Sequence, residues 1–243
     1  EAAPPAALQV LAEGRASVAR ERLGVQMPVH AYGQRAVAAR LLSPQAHAGL
    51  ARQWFRSPDV LALLPLDRPQ PGHGLALVWS VPEERAAELM AMPAESFEHA
   101  LADATAGAAG PLRLASARAD WPLALAQAEA VCGAGWVLLG DAAHLVHPLA
   151  GQGLNLGLAD VAVLAEVLAA RESWRSVGDM RLLQRYARRR ALPVRAMGQL
   201  TDGLLHLFAS RQPVLRELRN RGLSLVNQLP PLKRFLTARA LES

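Results

Sequence analysis

Cysteine, lysine and aromatic residues are scarce in this chain, and each shortage argues against a particular kind of structure or partner. Cys132 is the only cysteine in 243 residues, so the chain can form no internal disulfide and no metal-binding thiolate cluster, which fits a reducing compartment. Lys233 is the only lysine, and the net charge of +5 therefore rests almost entirely on arginine. The arginines are spread along the chain without interleaved aromatic residues, which argues against a nucleic-acid partner.

Long apolar runs and several ligand-binding motifs are missing as well. No stretch reaches the roughly 18 apolar residues of a membrane-spanning helix, and no secretory signal opens the sequence. A GxGxxG loop, a P-loop and a GxSxG nucleophile elbow are all absent. His144 and His147 have H-x-x-H spacing, but no carboxylate follows at a ligand spacing and Pro148 would break a helix there, so we expect no metal site. The composition, 51% hydrophobic and 19% charged, predicts a globular, cytoplasmic protein.

One stretch, residues 135–160, carries most of the chemical signal. An apolar run of strand length ends at Gly140-Asp141, a loop with the closely spaced Gly151 and Gly153 follows, and an apolar helical pattern then begins. Asp141 is therefore predicted at the carboxyl end of a strand, where its carboxylate can accept hydrogen bonds from ligand hydroxyls. The glycines and the free N–H groups of the helix start suit a polyhydroxylated, electron-accepting ligand. An ordinary strand and helix joined by a glycine-rich loop is the alternative.

The string GDAAHLVHPLAGQGLNLGLAD, Gly140 to Asp160, resembles the second flavin-binding motif of class A flavoprotein monooxygenases of the para-hydroxybenzoate hydroxylase type. Within that superfamily it is most similar to the ubiquinone-biosynthesis hydroxylases. The resemblance implies that Asp141 holds the ribitol of FAD and that the loop after it lies against the isoalloxazine ring. The cofactor-binding residues implied by this motif are Gly140, Asp141, Pro148, Gly151, Gln152, Gly153, Leu154 and Asn155.

A second motif match lies near the start of the chain. Leu8 to Arg20 predicts a short strand, a turn at Gly14 and a first helical turn, and it resembles the Asp-Gly motif of the same family. That motif contacts flavin and is associated with NAD(P)H use, so the resemblance adds Gly14 and Arg20 to the cofactor-binding residues. Ser17 also matches, whereas Glu13 stands where the family has aspartate and its role stays open. A capped surface helix after a strand is the alternative interpretation.

The middle of the chain, residues 29–120, predicts an antiparallel sheet because short apolar segments alternate with turn-rich stretches. The expected strands are Tyr32–Ala39, Leu50–Phe55, Val60–Pro65, Gly74–Trp79 and Leu112–Arg118, and the expected helices are 83–92 and 95–106. In the resembled family this sheet forms one wall of the substrate pocket. Trp54, Phe55 and Trp79 are therefore candidates for lining a pocket for an aromatic ring, although all three would equally suit a hydrophobic core.

The expected fold is α/β (α+β): an incomplete FAD-binding domain plus an antiparallel-sheet substrate domain of the para-hydroxybenzoate hydroxylase-like fold, followed by C-terminal helices. We expect 1–28 to be a remnant of the FAD-binding domain, 29–120 the substrate domain, 121–172 the second flavin motif and its helix, and 173–243 the helical region. In that last region Pro193 predicts a kink or a division, and Arg185 to Arg190 are expected to form a solvated face. No residues match the family's N-terminal dinucleotide-binding unit, so this chain alone is expected to bind FAD weakly or not at all.

The resemblance implies an FAD-dependent aromatic hydroxylase that uses NAD(P)H and O2 on a polyprenylated phenol in ubiquinone biosynthesis. Because the cofactor carries the difficult chemistry, no catalytic side chain is assigned. The basic, amphipathic segment from Leu204 to Leu241 is a candidate for contact with an anionic inner-membrane surface, although ordinary helix packing is favoured. The alternative is a non-catalytic paralogue acting as an interaction subunit of a biosynthetic complex. Glu13, and Ala124 where the family has a basic residue, favour that alternative.

Overall fold

The computed structural model describes residues 6–146 and 153–209. The predictions for Pro148, Gly151 and Gln152, and most of the basic segment after Leu204, lie outside the described residues. The chain divides into two compact units. In the described part, unit 1 consists of residues 6–30, 124–146 and 153–205, and unit 2 consists mainly of residues 31–123.

Ten strands and five helices make up the described part of the chain. The strands are β1 Gln9–Leu11, β2 Val29–Leu42, β3 Arg52–Arg56, β4 Asp59–Leu66, β5 Gly74–Pro82, β6 Arg113–Leu114, β7 Ala119–Gln127, β8 Cys132–Gly133, β9 Trp136–Leu138 and β10 His144–Leu145. The helices are α1 Val18–Arg22, α2 Glu83–Ala91, α3 Ala94–Ala104, α4 Gly153–Ala169 and α5 Met180–Ala209. None of these helices is both long enough and apolar enough to cross a membrane, within the described residues.

Unit 1 is built on a small sheet with the strand order β1-β9-β8. β1 and β9 run parallel, and Leu11 is paired with Leu138. The apolar side chains of α4 and α5 pack on this sheet in one buried cluster, which contains Cys132, Val137, Leu139, Leu164, Val167, Leu182, Leu183 and Tyr186. The parallel pair therefore has a helical layer against it, as a parallel sheet requires.

Helix α5 is one continuous element that passes through Pro193, so the predicted possibility of a division there is wrong. Proline removes one backbone hydrogen bond from a helix interior, a loss that tertiary packing can offset. Leu182 and Leu183 before the proline and Val194 after it are all buried. Packing on both sides of Pro193 therefore holds the two halves in a single helix.

Unit 2 is an antiparallel sheet covered on one face by α2 and α3, which confirms the predicted antiparallel architecture. Its strand order is β7-β2-β5-β4-β3, and β6 pairs with the end of β2. Because side chains alternate along a strand, the odd-numbered residues of β2, β4 and β5 face the helices. They form the core with both helices, through Val37, Ala39, Leu41, Leu61, Leu63, Leu75, Leu77, Trp79, Val81, Ala86, Leu89, Phe97 and Leu101.

Three strands of this sheet differ from the prediction. The expected strand Leu112–Arg118 is reduced to β6, and β7 was not predicted because Trp121-Pro122 reads as a break. Strand β2 begins earlier than expected, at Val29, and it continues past the expected end at Ala39 because β5 pairs with it from Gln34 to Leu42. Strand β7 continues into unit 1, where its Ala126–Gln127 end pairs with β10.

Candidate cofactor site

The carboxyl ends of the two parallel strands of unit 1 bring two loops together. Leu11 pairs with Leu138, and the N–H of Leu139 donates to the carbonyl of Leu11 over 3.0 Å. The loop after β1 and the turn after β9 therefore leave the sheet side by side at the same edge. Ligands of α/β proteins bind at this edge, because loops and helix starts meet there.

Asp141 lies in the turn after β9, a single tight helical turn that spans Gly140–Ala142. Gly140 begins it with a φ of 56°, a left-handed conformation that favours glycine. The side chain of Asp141 is exposed, and no described residue forms a hydrogen bond with its carboxylate. Ala142 and Ala143, which follow, are fully buried. The turn thus has a fixed backbone and a carboxylate that is available to a ligand.

Asp160 fastens this turn to both helices of unit 1. Its side chain is fully buried in α4 and accepts three hydrogen bonds. The donors are the N–H of Gly140 at 2.8 Å, Nε2 of His144 at 2.8 Å and Nε of Arg190 at 2.6 Å. Because a carboxylate can only accept, Nε2 is the protonated ring nitrogen of His144. One carboxylate therefore connects both ends of the turn with α4 and α5.

The ionisation of this cluster follows from its contacts. Burial alone would raise the pKa of Asp160, but the hydrogen bonds from His144, Gly140 and Arg190 outweigh it and hold that pKa below its ordinary value of 3.8. Arg190 also donates from Nη2 to the carbonyl of Leu156 over 3.1 Å. Burial raises the pKa of Tyr186, which stays protonated and donates to the carbonyl of Leu138 over 3.0 Å. Asp160 and Arg190 therefore form a buried ion pair behind the turn.

Arg20, which lies in helix α1, also supports the turn that carries Asp141. It is buried, and its Nη1 donates to the carbonyl of Ala142 over 3.2 Å and to that of Arg15 over 3.4 Å. Its Nε has no hydrogen-bond partner within the described ranges. The structure thus places Arg20 against the backbone beside Asp141, so any part it has in cofactor binding includes holding that turn.

Glu13 and Ser17 cap the start of helix α1. The Oγ of Ser17 accepts from the N–H of Arg20 over 3.1 Å and donates to Glu13 Oε2 over 2.6 Å. Glu13 Oε2 also accepts from the N–H of Ala19 over 3.1 Å, and these two hydrogen bonds lower the pKa of Glu13. The glutamate that replaces the family's aspartate is therefore a helix-capping residue here. Gly14 beside it has a φ of 80°, and a Cβ there would meet no atom within 4 Å.

Helix α4 begins beside the turn. A Cβ on Gly157 would lie 3.4 Å from Cα of Gly140, at van der Waals contact, so the helix packs directly on the backbone of the turn. In its first turn, Asn155 is half-buried and Leu154 is 73% exposed. Gly153 stands at the first residue of the helix, where the backbone N–H groups point out of the helix end toward an anionic or polar ligand.

The buried side chains that hold this site in place were not predicted from the sequence. Arg190 was expected on a solvated face with its neighbours, and this is wrong for Arg190, which is only 7% exposed. Its neighbour Arg189 is on the surface and pairs with the exposed Glu166 over 2.5 Å. The available signal was Asp160 itself, because a carboxylate on the apolar face of a helix needs a buried partner.

Trp54 and Phe55 lie in unit 2, and they point to opposite faces of strand β3. Trp54 is paired with Leu61 and packs against the core beneath the helices, whereas Phe55 is paired with Val60. Trp54 lines a cavity together with Trp79, which is itself fully buried. The two adjacent residues therefore cannot share one pocket wall, and their assignment to a substrate pocket stays a prediction.

Residues 6–201 match the family model described as "FAD binding domain", and the chain belongs to that family. It is similar to the ubiquinone hydroxylase UbiL of Rhodospirillum rubrum, at 35% identity over 237 residues, covering 97% of this chain and 54% of that protein. It is also similar to the human mitochondrial ubiquinone biosynthesis monooxygenase COQ6, at 34% identity over 266 residues, covering 95% of this chain and 56% of that protein. The chain thus spans little more than half the length of these relatives.

Solved structures of monooxygenases are similar to this chain in fold. PqsL of Pseudomonas aeruginosa, a probable FAD-dependent monooxygenase, superposes with a TM-score of 0.68 at 27% identity, covering 84% of this chain and 57% of that one. The p-nitrophenol 4-monooxygenase PnpA of Pseudomonas putida DLL-E4 gives a TM-score of 0.72 at 18% identity, covering 97% and 58%, which supports the fold alone. The predicted family, the α/β fold and FAD as the family's cofactor are confirmed.

Proposed function

We propose that this chain supplies the flavin-ring side and the substrate domain of an FAD-dependent monooxygenase. The reaction is hydroxylation of a polyprenylated phenol in ubiquinone biosynthesis, with NAD(P)H and O2 as co-substrates. The names of the related hydroxylases support the reaction and the pathway. The residues that hold the FAD pyrophosphate would belong to a dinucleotide-binding unit outside this chain, since no GxGxxG loop occurs within it.

The observation that carries the proposal is the exposed carboxylate of Asp141, which forms no hydrogen bond with the residues that the structure describes and lies on a turn held by buried charges. A polyol such as ribitol offers hydroxyl donors, and a fixed carboxylate accepts them without reorganising its own backbone. Arg20 and Asp160 provide that rigidity through the carbonyl of Ala142 and the N–H of Gly140. The residues present therefore fit the ribityl part of FAD.

When bound, FAD supplies the redox and oxygen chemistry, and the protein's residues have three remaining tasks. Asp141 would orient the cofactor. The N–H groups at the start of α4, from Gly153 onward, would favour negative charge on the reduced ring. The apolar residues of unit 2 would hold a phenol away from water. Excluding water protects reactive intermediates from side reactions.

Loss of FAD affinity on Asp141→Ala tests the proposal directly. In the full-length protein we expect FAD to bind at least about tenfold more weakly, because each hydrogen bond to a charged group contributes about 1.5–3 kcal/mol. The urea midpoint of the apoprotein should stay unchanged, since this carboxylate is exposed. Flavin fluorescence quenching measures the first quantity and circular dichroism the second.

The matched control is Asp67→Ala, which removes an exposed carboxylate from unit 2 and should leave FAD affinity unchanged. Equal FAD affinities for wild type and Asp141→Ala would refute the assigned role. The reaction itself is tested by mass spectrometry after incubation with NAD(P)H and a prenylated phenol. Oxidation of NAD(P)H without an oxygenated product would refute the proposed substrate class.

Contact with a membrane surface is a separate proposal, supported by the basic, amphipathic sequence from Leu204 to Leu241 and by the lipid solubility of a polyprenyl tail. Truncation before Leu204 should reduce flotation with anionic liposomes. Equal flotation of the intact and the truncated protein would count against this proposal.

A further inference from the structure

Unit 1 contains two cavities side by side along helix α5. The first, of about 340 Å3, lies between α5 and the loop that connects β7 to β8, and the second, of about 360 Å3, lies between α5 and the β7–β10 pair. They share the lining residues Gln127, His144, Val194 and Arg195, so they adjoin. Each volume lies within the range of about 300–1,000 Å3 that small-molecule sites occupy.

Two guanidinium groups line the first cavity without a carboxylate partner. Between Met180 and Gln199, the charged residues of α5 are all arginines, at positions 181, 185, 188, 189, 190 and 195. Arg185, Arg189 and Arg190 each form an ion pair with a carboxylate. Arg188 and Arg195 are exposed, line the first cavity and form no ion pair within the part of the chain that the structure describes. Both can therefore receive an anionic group.

The acidic groups of the first cavity do not cancel this charge. Asp160 already belongs to the buried ion pair behind the Gly140–Ala142 turn. Glu129 is exposed and sets one negative charge against the two guanidinium groups. Burial raises the pKa of the Cys132 thiol, which therefore adds no negative charge at neutral pH. The cavity consequently favours an anion over a cation.

The second cavity is mainly apolar. Its apolar lining residues are Pro28, Leu125, Ala126, Leu145, Val146 and Val194. No carboxylate lines it among the described residues, and its one arginine is Arg195, which it shares with the first cavity. Water gains free energy by releasing an apolar chain into such a space, so this cavity suits the apolar part of a ligand.

We propose that the two cavities together bind a single-chain anionic amphiphile. Its carboxylate or phosphate head would lie between Arg188 and Arg195, which stand about two helical turns apart on the same side of α5. Its apolar chain would fill the second cavity. The inference goes beyond the proposed function, because the ligand is charged whereas a prenylated phenol is neutral, and because unit 1 alone forms the site.

Isothermal titration calorimetry of the full-length protein, saturated with FAD, tests this site with octanoate as the probe. 1-Octanol has the same chain without the charge and should bind at least about fivefold more weakly. Butanoate keeps the head but shortens the chain and should bind at least about tenfold more weakly. If octanoate binds no more tightly than either of these two compounds, the proposal is overturned.

The position of the head is tested with matched variants. The double variant Arg188→Gln with Arg195→Gln should lose the preference for octanoate over 1-octanol and keep its affinity for 1-octanol. Arg181→Gln removes an exposed arginine of the same helix that lies outside both cavities, and it should preserve the wild-type preference. Circular dichroism verifies that each variant is folded. A wild-type preference in the double variant would overturn the proposal.

Vesicles of phosphatidylglycerol distinguish a single bound amphiphile from an anionic membrane surface. The proposal expects octanoate to bind in the absence of vesicles and to depend on Arg188 and Arg195. Vesicle binding that is lost in the double variant, without any binding of octanoate, would assign the two arginines to a membrane surface and overturn the proposal.

Discussion

Replacing Asp160 by asparagine should lower the free energy of unfolding by about 3–5 kcal/mol, the cost typical of removing one partner of a buried ion pair. The substitution leaves the guanidinium of Arg190 charged, 7% exposed and without its carboxylate. It also weakens the acceptor for Gly140 and His144, so the turn that carries Asp141 loses part of its support. Urea denaturation at neutral pH, followed by circular dichroism, measures the loss.

The surface pair of the same two helices provides the control. Glu166 and Arg189 join α4 to α5 with both side chains about half exposed, so Glu166→Gln should cost less than about 1 kcal/mol. The double variant Asp160→Asn with Arg190→Met should lose less stability than the sum of the losses of the two single variants, because it leaves no unpaired buried charge. A loss for Asp160→Asn no larger than that for Glu166→Gln would contradict the importance of the buried pair.

The pH dependence of stability distinguishes the contribution of the Asp160 charge from the contribution of its packing. Because its folded pKa lies below the ordinary value of 3.8, its contribution is present above that value and disappears as the pH falls through the folded pKa. Wild type should therefore lose more stability than Asp160→Asn when the pH is lowered from neutral into this range. Parallel losses in the two proteins would show that the carboxylate charge is not responsible.

Replacing Phe97 by alanine should lower the stability of unit 2 by about 3–5 kcal/mol, the range for truncating a buried phenylalanine. Phe97 lies in α3 and is fully buried, with its ring centroid 6.2 Å from that of Trp79. The guanidinium carbon of Arg118 stands 4.9 Å from the Phe97 ring centroid, so the truncation also removes a cation–π contact. Thermal or urea unfolding monitored by tryptophan fluorescence measures the effect.

Two further variants show whether burial is the cause. Phe97→Leu keeps most of the apolar volume and should cost clearly less than Phe97→Ala. Phe55→Ala truncates the same residue type at a half-buried position on the opposite sheet face, and its effect should also be smaller. Comparable losses at Phe55 and Phe97 would mean that the core beneath α3 is not the main source of stability in unit 2.

The parts of the fold that could be predicted are those encoded by neighbouring residues. The apolar run before Gly140 predicted a strand, and β9 occupies its centre, so Asp141 follows the strand end as its sequence context indicates. Similarly, the alternating strands and turns of residues 29–80 predicted an antiparallel sheet, which the structure contains. In both cases the sequence pattern that determines the structure lies within a single strand and the turn beside it.

The support of the turn could not be predicted because it depends on the rotation of one helix against another. Arg188, Arg189 and Arg190 are identical in type and adjacent in sequence, yet Arg189 is exposed and Arg190 is buried against Asp160. A helix advances about 100° per residue, so only the packed orientation of α5 decides which arginine faces inward. Strand β7 was missed for a similar reason, because Pro122 lowers the local strand propensity and tertiary pairing overrides it.

The two-sided support of the Gly140–Ala142 turn has a consequence for how folding and cofactor affinity are linked. Ordering a flexible backbone costs about 1–2 kcal/mol per residue, and here Arg20 and Asp160 order the turn during folding, before any ligand arrives. The entropy loss is then subtracted from the free energy of folding instead of from the free energy of binding. Changes at Arg20 or Asp160 should therefore lower stability and FAD affinity together, whereas a change at Asp141 lowers affinity alone.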